Sequence, residues 1–310
     1  MLSFSYHLSP SLFSSLEQIN ILRQEILLAP LPPKTELRYK WDALIDKTYH
    51  SLQLKGGSLS RVDIVAILTN PNRKKLSATE KDVHRYRYAF DYIYKEWYGS
   101  KKPITVKTIL YLHQLVGKGD IKEEVSTKTL LTFMETSKEH PILQAGIVLI
   151  ELIYAAPFQH DNDRIALLLS YVFLYKQGYD MHGLLVLEEY FKQDTARYEG
   201  LVKTATESGN ITPWLEYIAN GVVTQLLKLK KKMIEQTTET YMSAKLFDLT
   251  ERQQAILSFL EKPGSRITNK KCTVLFSISQ ITSSRELAKL TALGVLFAHG
   301  RGRSVYYTKV

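Results

Sequence analysis

Cysteine is almost absent from this sequence, and its scarcity excludes several classes of protein. Cys272 is the single cysteine among 310 residues, so neither an internal disulfide framework nor a multi-cysteine metal site can form. No apolar run approaches the length that a membrane-spanning helix needs. The first residues also lack a basic region followed by a long apolar stretch, so no secretory signal is predicted. These absences predict a cytoplasmic protein with no membrane partner.

Positive charge is present, but it is unevenly distributed. The whole chain carries a formal net charge of +10. Residues 245–310 hold eleven Lys or Arg against four Asp or Glu, a net charge of +7, which leaves +3 for the other 244 residues. A basic C-terminal segment on a nearly neutral body predicts an anionic partner, nucleic acid first. A solubilising tail would have the same charge, so charge alone does not separate the two.

Helical periodicity dominates the chain, and strand signals are almost absent before residue 290. The predicted helices cover residues 12–28, 35–52, 79–97, 104–115, 126–136, 141–154, 163–177, 187–207 and 212–236, with another beginning at residue 60. The polar stretch near 237–248 predicts a boundary between a domain at 1–240 and a domain at 241–310. The basic run Lys228–Lys232 is interpreted as a solvated helix face rather than a DNA contact.

The C-terminal segment has the clearest order of elements. Thr250 is predicted to cap a first helix, Thr268 a second and Ser279 a third, after a tight turn. Two short β segments follow, Val295–Ala298 and Ser304–Tyr307. This order predicts a winged helix-turn-helix, whose third helix suits the major groove of DNA. The alternative is a module that docks a protein or forms a dimer contact.

Two groups of side chains in this segment are predicted to contact DNA. Ile281 is expected to face inward with the apolar residues of the third helix. Gln280, Thr282 and Ser283 are predicted to approach base edges, and Arg285 and Lys289 to lie beside phosphates. Arg301 and Arg303, on the glycine-rich tip between the two β segments, are predicted to reach the DNA backbone or the minor groove. The stretches 267–270, 279–287 and 302–307 resemble the winged helices at the C-terminus of many bacterial Fic proteins.

The segment from Pro141 to Arg164 ends in Ala-Pro-Phe-Gln-His-Asp-Asn-Asp-Arg and resembles the Fic motif, H-x-F-x-[DE]-G-N-[GK]-R, with the helix before it. In that family the His is the general base for a target hydroxyl, and the acid holds a metal ion. The glycine turn and the following helix N-terminus cradle nucleotide phosphates, and the Arg also engages phosphate. The resemblance implies transfer of AMP from ATP to a protein side chain.

The positions that carry this chemistry depart from the motif. Ala156 stands at the position of the His, His160 at that of the acid, and Asp161 and Asp163 at those of the two glycines, whereas Phe158, Asn162 and Arg164 match the motif. A methyl group accepts no proton, and a neutral imidazole is a poor ligand for Mg²⁺. One carboxylate about 4 Å from a phosphate charge costs on the order of 4 kcal/mol at an effective dielectric of about 20. We therefore expect weak or absent binding of ATP with magnesium, no cofactor and no catalytic residue. Phe158 is expected to fill the core.

A second segment resembles the family's inhibitory motif, [ST]-x-x-x-E-[GN]. Ser51 and Gly56 match it, and Lys55 replaces the Glu that pairs with the motif Arg. A lysine at this position is predicted either to pair with Asp161 or Asp163 or to remain a solvated surface side chain. The linker at residues 115–124 is too short for the family's usual flap.

Together these observations predict a mainly α fold, a Fic-type helical domain followed by a winged helix-turn-helix domain. One interpretation is a pseudo-enzyme that binds DNA through residues 245–310 as a transcriptional regulator, whose helical body supplies a homodimer contact or a ligand pocket. The other interpretation is a Fic-type nucleotidyltransferase that uses a non-standard base, with His160 or another residue in that role.

Overall fold

The computed structural model describes residues 4–29, 31–69, 76–120, 128–235, 249–261, 265–293, 295–300 and 304–309. Over these residues the fold is mainly α. The helices before residue 236 are α1 (Pro10–Leu28), α2 (Pro33–Leu54), α3 (Arg61–Thr69), α4 (Ala78–Trp97), α5 (Val106–Val116), α6 (Lys128–Thr136), α7 (Pro141–Ala155), α8 (Asn162–Lys176), α9 (Leu187–Gln193), α10 (Thr195–Ser208) and α11 (Thr212–Glu235). No helix in the described part of the chain is long and apolar enough to cross a membrane.

Local sequence signals explain where several of these helices begin. Ser9 caps α1 through the backbone N–H of Leu12, and proline occupies the first turn, where a missing N–H costs nothing. Ser77 and Glu80 form a reciprocal capping box at the start of α4. The predicted helix over residues 187–207 is two helices, because Asp194 interrupts it and caps α10 through the N–H of Arg197.

Contacts divide the chain into two units. The first consists of the described residues within Met1–Pro30, Ala43–Ser60 and Ser77–Thr238. The second consists of those within Leu31–Asp42, Arg61–Leu76 and Glu239–Val310. The second unit thus takes two early segments that the sequence-based boundary assigns to the 1–240 domain. The polar stretch on which that boundary rests lies outside the described residues.

The core of the first unit is built on α7 and α8, which pack against each other. Both helices bury residues around most of their circumference, as central helices do. Helix α11 packs on α1 and α7, and α4 and α5 pack on α8. Trp214 is fully buried and donates a hydrogen bond from its indole to the Gly146 carbonyl at 2.9 Å, which joins α11 to α7.

The second unit ends in α12 (Glu251–Phe259), β1 (Ile267–Thr268), α13 (Asn269–Leu275), α14 (Gln280–Ala292), β2 (Leu296–His299) and β3 (Tyr306–Lys309). The strands form an antiparallel sheet in the order β1–β3–β2, in which Tyr307 opposes Ile267 on one side and Ala298 on the other. The order of helices and strands agrees with the sequence-based one. Residues 262–264, 294 and 301–303 lie outside the described chain.

Candidate functional site

The motif loop connects α7 to α8 and contains two residues in the left-handed backbone region. Ala156, the residue directly after α7, has φ 40° and ψ 52°, and Asp161, the residue directly before α8, has φ 65° and ψ 20°. Asn162 closes the loop, because its side chain accepts a hydrogen bond from the N–H of Phe158 at 3.0 Å and donates one to the Phe158 carbonyl at 2.9 Å. Asp161 thus keeps a backbone conformation that favours glycine, and Asp is among the few residues that tolerate it.

Phe158 anchors this loop to the core. Its ring is fully buried and stacks on His113 of α5, with ring centroids 4.3 Å apart and planes 10° from parallel. The expectation that Phe158 fills the core is confirmed. This residue determines the position of the loop and contributes no group to chemistry.

The positions that hold the general base and the metal-binding acid in the Fic motif are occupied here by Ala156 and His160. Ala156 offers only a methyl, and His160 is exposed on the loop. Among the described residues no cluster of three or more His, Cys, Asp or Glu side chains could hold a metal ion. Mg²⁺ is usually held by one or two carboxylates together with substrate phosphates, and the position of the motif's acid holds the imidazole of His160 instead of a carboxylate.

The side chain of Lys55 lies at the N-terminal end of α8. This residue directly follows the last residue of α2, and its Nζ contacts Asp161 Oδ1 and lies 3.5 Å from Asp163 Oδ1. Ser51, one turn earlier, is buried, and Gly56 adopts φ 74° just after Lys55. Of the two predictions for Lys55, pairing with the aspartates is therefore the one observed.

The ion pair alters the acidity of Asp161. Burial acts to raise the pKa of this carboxyl, but the hydrogen bond and the charge of Lys55, with smaller effects of Arg164 and Lys118, outweigh it and lower the pKa below its ordinary value. Asp161 is therefore ionised and neutralised by a side chain of its own protein.

Arg164 lies beneath this surface and is buried. Its guanidinium sits 4.6 Å from the centre of the Tyr86 ring, a cation–π contact. Within the described chain its Nε and Nη2 have no hydrogen-bond partner. The motif arginine is thus retained and directed inward.

A buried polar cluster that sequence reasoning missed lies next to Arg164. Glu188 is fully buried and accepts hydrogen bonds from the hydroxyls of Tyr86 at 2.6 Å and Tyr171 at 2.7 Å. Lys47 of α2 donates to the Gly183 carbonyl at 2.9 Å and lies 4.9 Å from the centre of the Tyr171 ring. Burial lowers the pKa of Lys47 to about 8, although the charge of Glu188 opposes the shift. Lys47 and Ser51 are four residues apart on α2 and share one helix face, but no local pattern in the sequence connects them with Glu188, Tyr86 or Tyr171.

A pocket of about 350 Å³ lies among α7, α8 and α10. It is lined by Ile153, Asp163, Tyr198, Glu199, Val202, Lys203 and Thr206. Its charged groups are two carboxylates and one ammonium, and that ammonium, on Lys203, lies 3.9 Å from Glu207. This balance of charge disfavours a polyanion such as a triphosphate.

The exposed face of α14 agrees only in part with the predicted DNA contacts. Gln280, Arg285 and Lys289 are exposed, and Thr282 is half-buried with its Oγ1 2.9 Å from Ser279 Oγ. Ser283 is fully buried, and its hydroxyl donates to the Asn269 carbonyl at 3.1 Å, so its predicted contact with base edges does not fit its position.

Two further predictions in this segment have different outcomes. Ile281 was expected to face inward, but 66% of its surface is exposed. Ser283 is buried where Ile281 is not, whereas Leu287 and Leu290 face the core as expected of the apolar residues of this helix. Arg301 and Arg303 lie outside the described residues, so their predicted contacts remain predictions.

Comparison with known proteins identifies the fold. No protein-family model matches the sequence, and no curated protein matches it either. Solved structures do match. A Fic family protein from Desulfovibrio desulfuricans G20 superposes with a TM-score of 0.62 at 14% identity, covering 98% of this chain and 97% of that one. This chain has the Fic fold.

Two other Fic structures support the same conclusion. A Fic domain containing signaling protein from Bacteroides thetaiotaomicron VPI-5482 gives a TM-score of 0.59 at 18% identity, over 74% of this chain and 99% of that one. Fic-1 from C. elegans gives 0.60 at 18% identity, over 73% and 74% of the two chains. Identities this low establish the Fic fold and leave activity to be argued from the site.

Proposed function

We propose that this Fic-fold protein has lost nucleotide transfer and acts in the cytoplasm as a DNA-binding regulator. The observation that carries the loss of transfer is the contact of Lys55 with both Asp161 and Asp163 at the start of α8. The helix N-terminus, where a phosphate would bind, is bordered instead by two carboxylates and their own counter-ion. Ala156 also provides no general base.

The C-terminal elements support DNA binding. A helix, a short strand, two helices and a two-stranded hairpin follow one another, and β1 joins the hairpin in the order β1–β3–β2. We interpret this unit as a winged helix-turn-helix, with α14 as the helix that enters the major groove. The net charge of +7 over residues 245–310, eleven basic against four acidic side chains, complements the phosphate backbone.

Two measurements test this function on the full chain. Calorimetry at millimolar ATP with magnesium is expected to detect weak binding or none, and a micromolar dissociation constant would contradict the lost phosphate site. Fluorescence anisotropy with random-sequence and genomic duplexes is expected to detect binding that falls steeply with salt. If no duplex binds more tightly than about 10⁻⁴ M at physiological salt, the weak edge of ordinary non-specific affinity, the C-terminal unit is not a DNA-binding module. Sedimentation of the same sample tests the homodimer.

A second candidate is nucleotide transfer that uses His160 or another residue as the base. It rests on Arg164, which is buried and whose Nε and Nη2 have no hydrogen-bond partner among the described residues. A bound phosphate would satisfy such donors. Incubation of the protein with labelled ATP, magnesium and a cell extract tests this candidate, and transfer of the label to any protein would favour it.

A further inference from the structure

The outward face of α14 has a composition that the proposed function does not yet explain. The residues that share this face and are exposed are Gln280, Ile281, Ser284, Arg285, Ala288 and Lys289. Their spacing, in pairs at i and i+4, places them over about one half of the helix circumference. The buried stripe of the same helix contains Ser283, Leu287 and Leu290.

Ile281 is the unusual member of this face. It is the second residue of α14, its side chain is 66% exposed, and its neighbours on the face are polar, small or basic. An isolated exposed apolar side chain is common on protein surfaces. Its place here is informative, because the N-terminal residues of a recognition helix are those that meet base edges.

The charges around Ile281 favour DNA as the occupant of this face. Arg285 and Lys289 are exposed on it. The acidic residue of α14, Glu286, is turned away and accepts a hydrogen bond from Gln253 Nε2 at 2.6 Å, with Arg252 3.5 Å away. The outward face therefore combines positive charge with one apolar group and has no carboxylate of its own, as expected for a surface that meets phosphates on both sides of a groove.

Resting on the proposed DNA-binding function, we propose that Ile281 packs against the C5-methyl group of a thymine in the major groove. That methyl is the one apolar group that an unmodified base pair displays there. Gln280, the residue before it, carries the amide that can pair with adenine N6 and N7. The start of α14 thus selects a step that contains A·T pairs, and Ile281 is its specificity-determining residue.

The test replaces thymine by uracil, which removes the methyl and keeps every hydrogen-bonding group. Duplexes are first selected with the full chain from a random pool, and each thymine of the preferred site is then exchanged singly. Burial of one methyl is worth about 0.8 kcal/mol, and 1.4 kcal/mol is tenfold in affinity. One position is therefore expected to lose about fourfold in affinity with uracil. Ile281→Ala is expected to bind the thymine duplex about fourfold more weakly and to treat thymine and uracil alike.

Two variants control the measurement. Val274→Ala removes another exposed apolar side chain, 72% exposed on α13, and is expected to keep the difference between thymine and uracil. Ile281→Val retains an apolar contact and is expected to keep most of it. Because Ile281 is exposed, neither Ile281→Ala nor Ile281→Val should lower the melting temperature of the protein.

The possible failures are distinguishable. If wild type binds a selected duplex but shows no uracil effect at any position, or if Ile281→Ala keeps that effect, this inference is overturned and DNA binding stands. If Ile281→Ala instead changes the mass of the protein in sedimentation and leaves DNA affinity unchanged, the face is a protein contact and the inference is overturned. If no duplex is selected or bound, both the proposed DNA-binding function and this inference about Ile281 are overturned.

Discussion

Lys55 contacts Asp161 and lies 3.5 Å from Asp163, so that one ammonium directly after α2 is shared by the two carboxylates at the start of α8. The Fic motif that this loop resembles has glycine at the first of these positions and glycine or lysine at the second. Lys55, Asp161 and Asp163 therefore depend on one another electrostatically. Each charge would be unfavourable without its partner, and together they form a local ion-pair network.

Lys55→Met is expected to destabilise the protein by about 1 kcal/mol, the range typical of partly exposed ion pairs. The pKa of Asp161 is lowered in the folded state, so the stability it contributes is present above its ordinary pKa of 3.8 and is lost as pH falls through the lower folded value. Urea denaturation across pH 3–7 should therefore show wild type and variant converging in acid. Lys203→Met, which affects only an exposed i,i+4 pair, serves as the control and should stay near wild type throughout. Equal losses in the two variants would contradict this role for Lys55.

Ala156→His is expected to restore no AMP transfer. A general base contributes typically about 10²–10⁴-fold, but it needs a bound nucleotide, and the start of α8 is bordered by Asp161 and Asp163. Histidine tolerates the left-handed conformation of residue 156, so the variant should fold. Incubation with labelled ATP and magnesium provides the measurement, with Ala155→His, one residue earlier, as the control. AMP labelling of the Ala156→His protein, and not of the control, would refute our account of the phosphate site.

Arg285→Ala is expected to weaken DNA binding and to lower the log–log salt slope by roughly one unit, as loss of one phosphate contact does. The double change of Arg301 and Arg303 to alanine should lower the slope by about two units and leave folding intact. Anisotropy over a salt series measures both slopes, and Lys203→Ala, in the first unit, should leave the slope unchanged. If Arg285 reads a base instead, its removal will also relax sequence preference. Unchanged slopes in all variants would place the DNA contact elsewhere.

Wild type is expected to gain stability over Lys47→Met as pH rises from about 8 toward 10. The folded pKa of Lys47, lowered by burial to about 8, lies below its ordinary value of 10.5, so the unfolded chain binds the proton more tightly in this window. Stability then increases with pH, by at most about 1.4 kcal/mol per pH unit. Buried tyrosines such as Tyr86 and Tyr171 have raised pKa values, and because both proteins contain them their effect cancels in the difference. A difference that is flat or falls over this range would show that Lys47 does not titrate as described.

Much of the fold could be predicted because its signals are local. Helix starts at Ser9, Ser77 and Thr250 carry capping side chains, and the periodicity of apolar residues gave nearly all helix bounds within a few residues. The break at Asp194 was missed, because apolar periodicity continues across it. Phe158 could be assigned to the core from its position in the Fic-like motif alone.

The parts that could not be predicted depend on rotation and on distant contacts. The face that α14 exposes is fixed by its packing in the second unit. Ile281 and Ser283 are two positions apart, about 200° around the helix, so they lie on nearly opposite faces, and it is Ser283 that is buried. The cluster of Glu188 with Tyr86 and Tyr171 joins residues 102 and 17 positions apart, and no local pattern brings them together. Lys55 could be given two predictions from its sequence, and only its distance to the aspartates separates them.

The side chain of Asn162 clasps both polar groups of the Phe158 backbone, and neither residue needs a nucleotide or a proton acceptor to do so. Loop geometry and loop chemistry are therefore assigned to different side chains in this protein. The side chains at the reactive positions can therefore be substituted while the two hydrogen bonds of Asn162 maintain the backbone conformation of the loop. A comparison of backbone structures alone will group such a loop with the loops of active enzymes. The side chains at the reactive positions have to be examined before an activity is assigned from the fold.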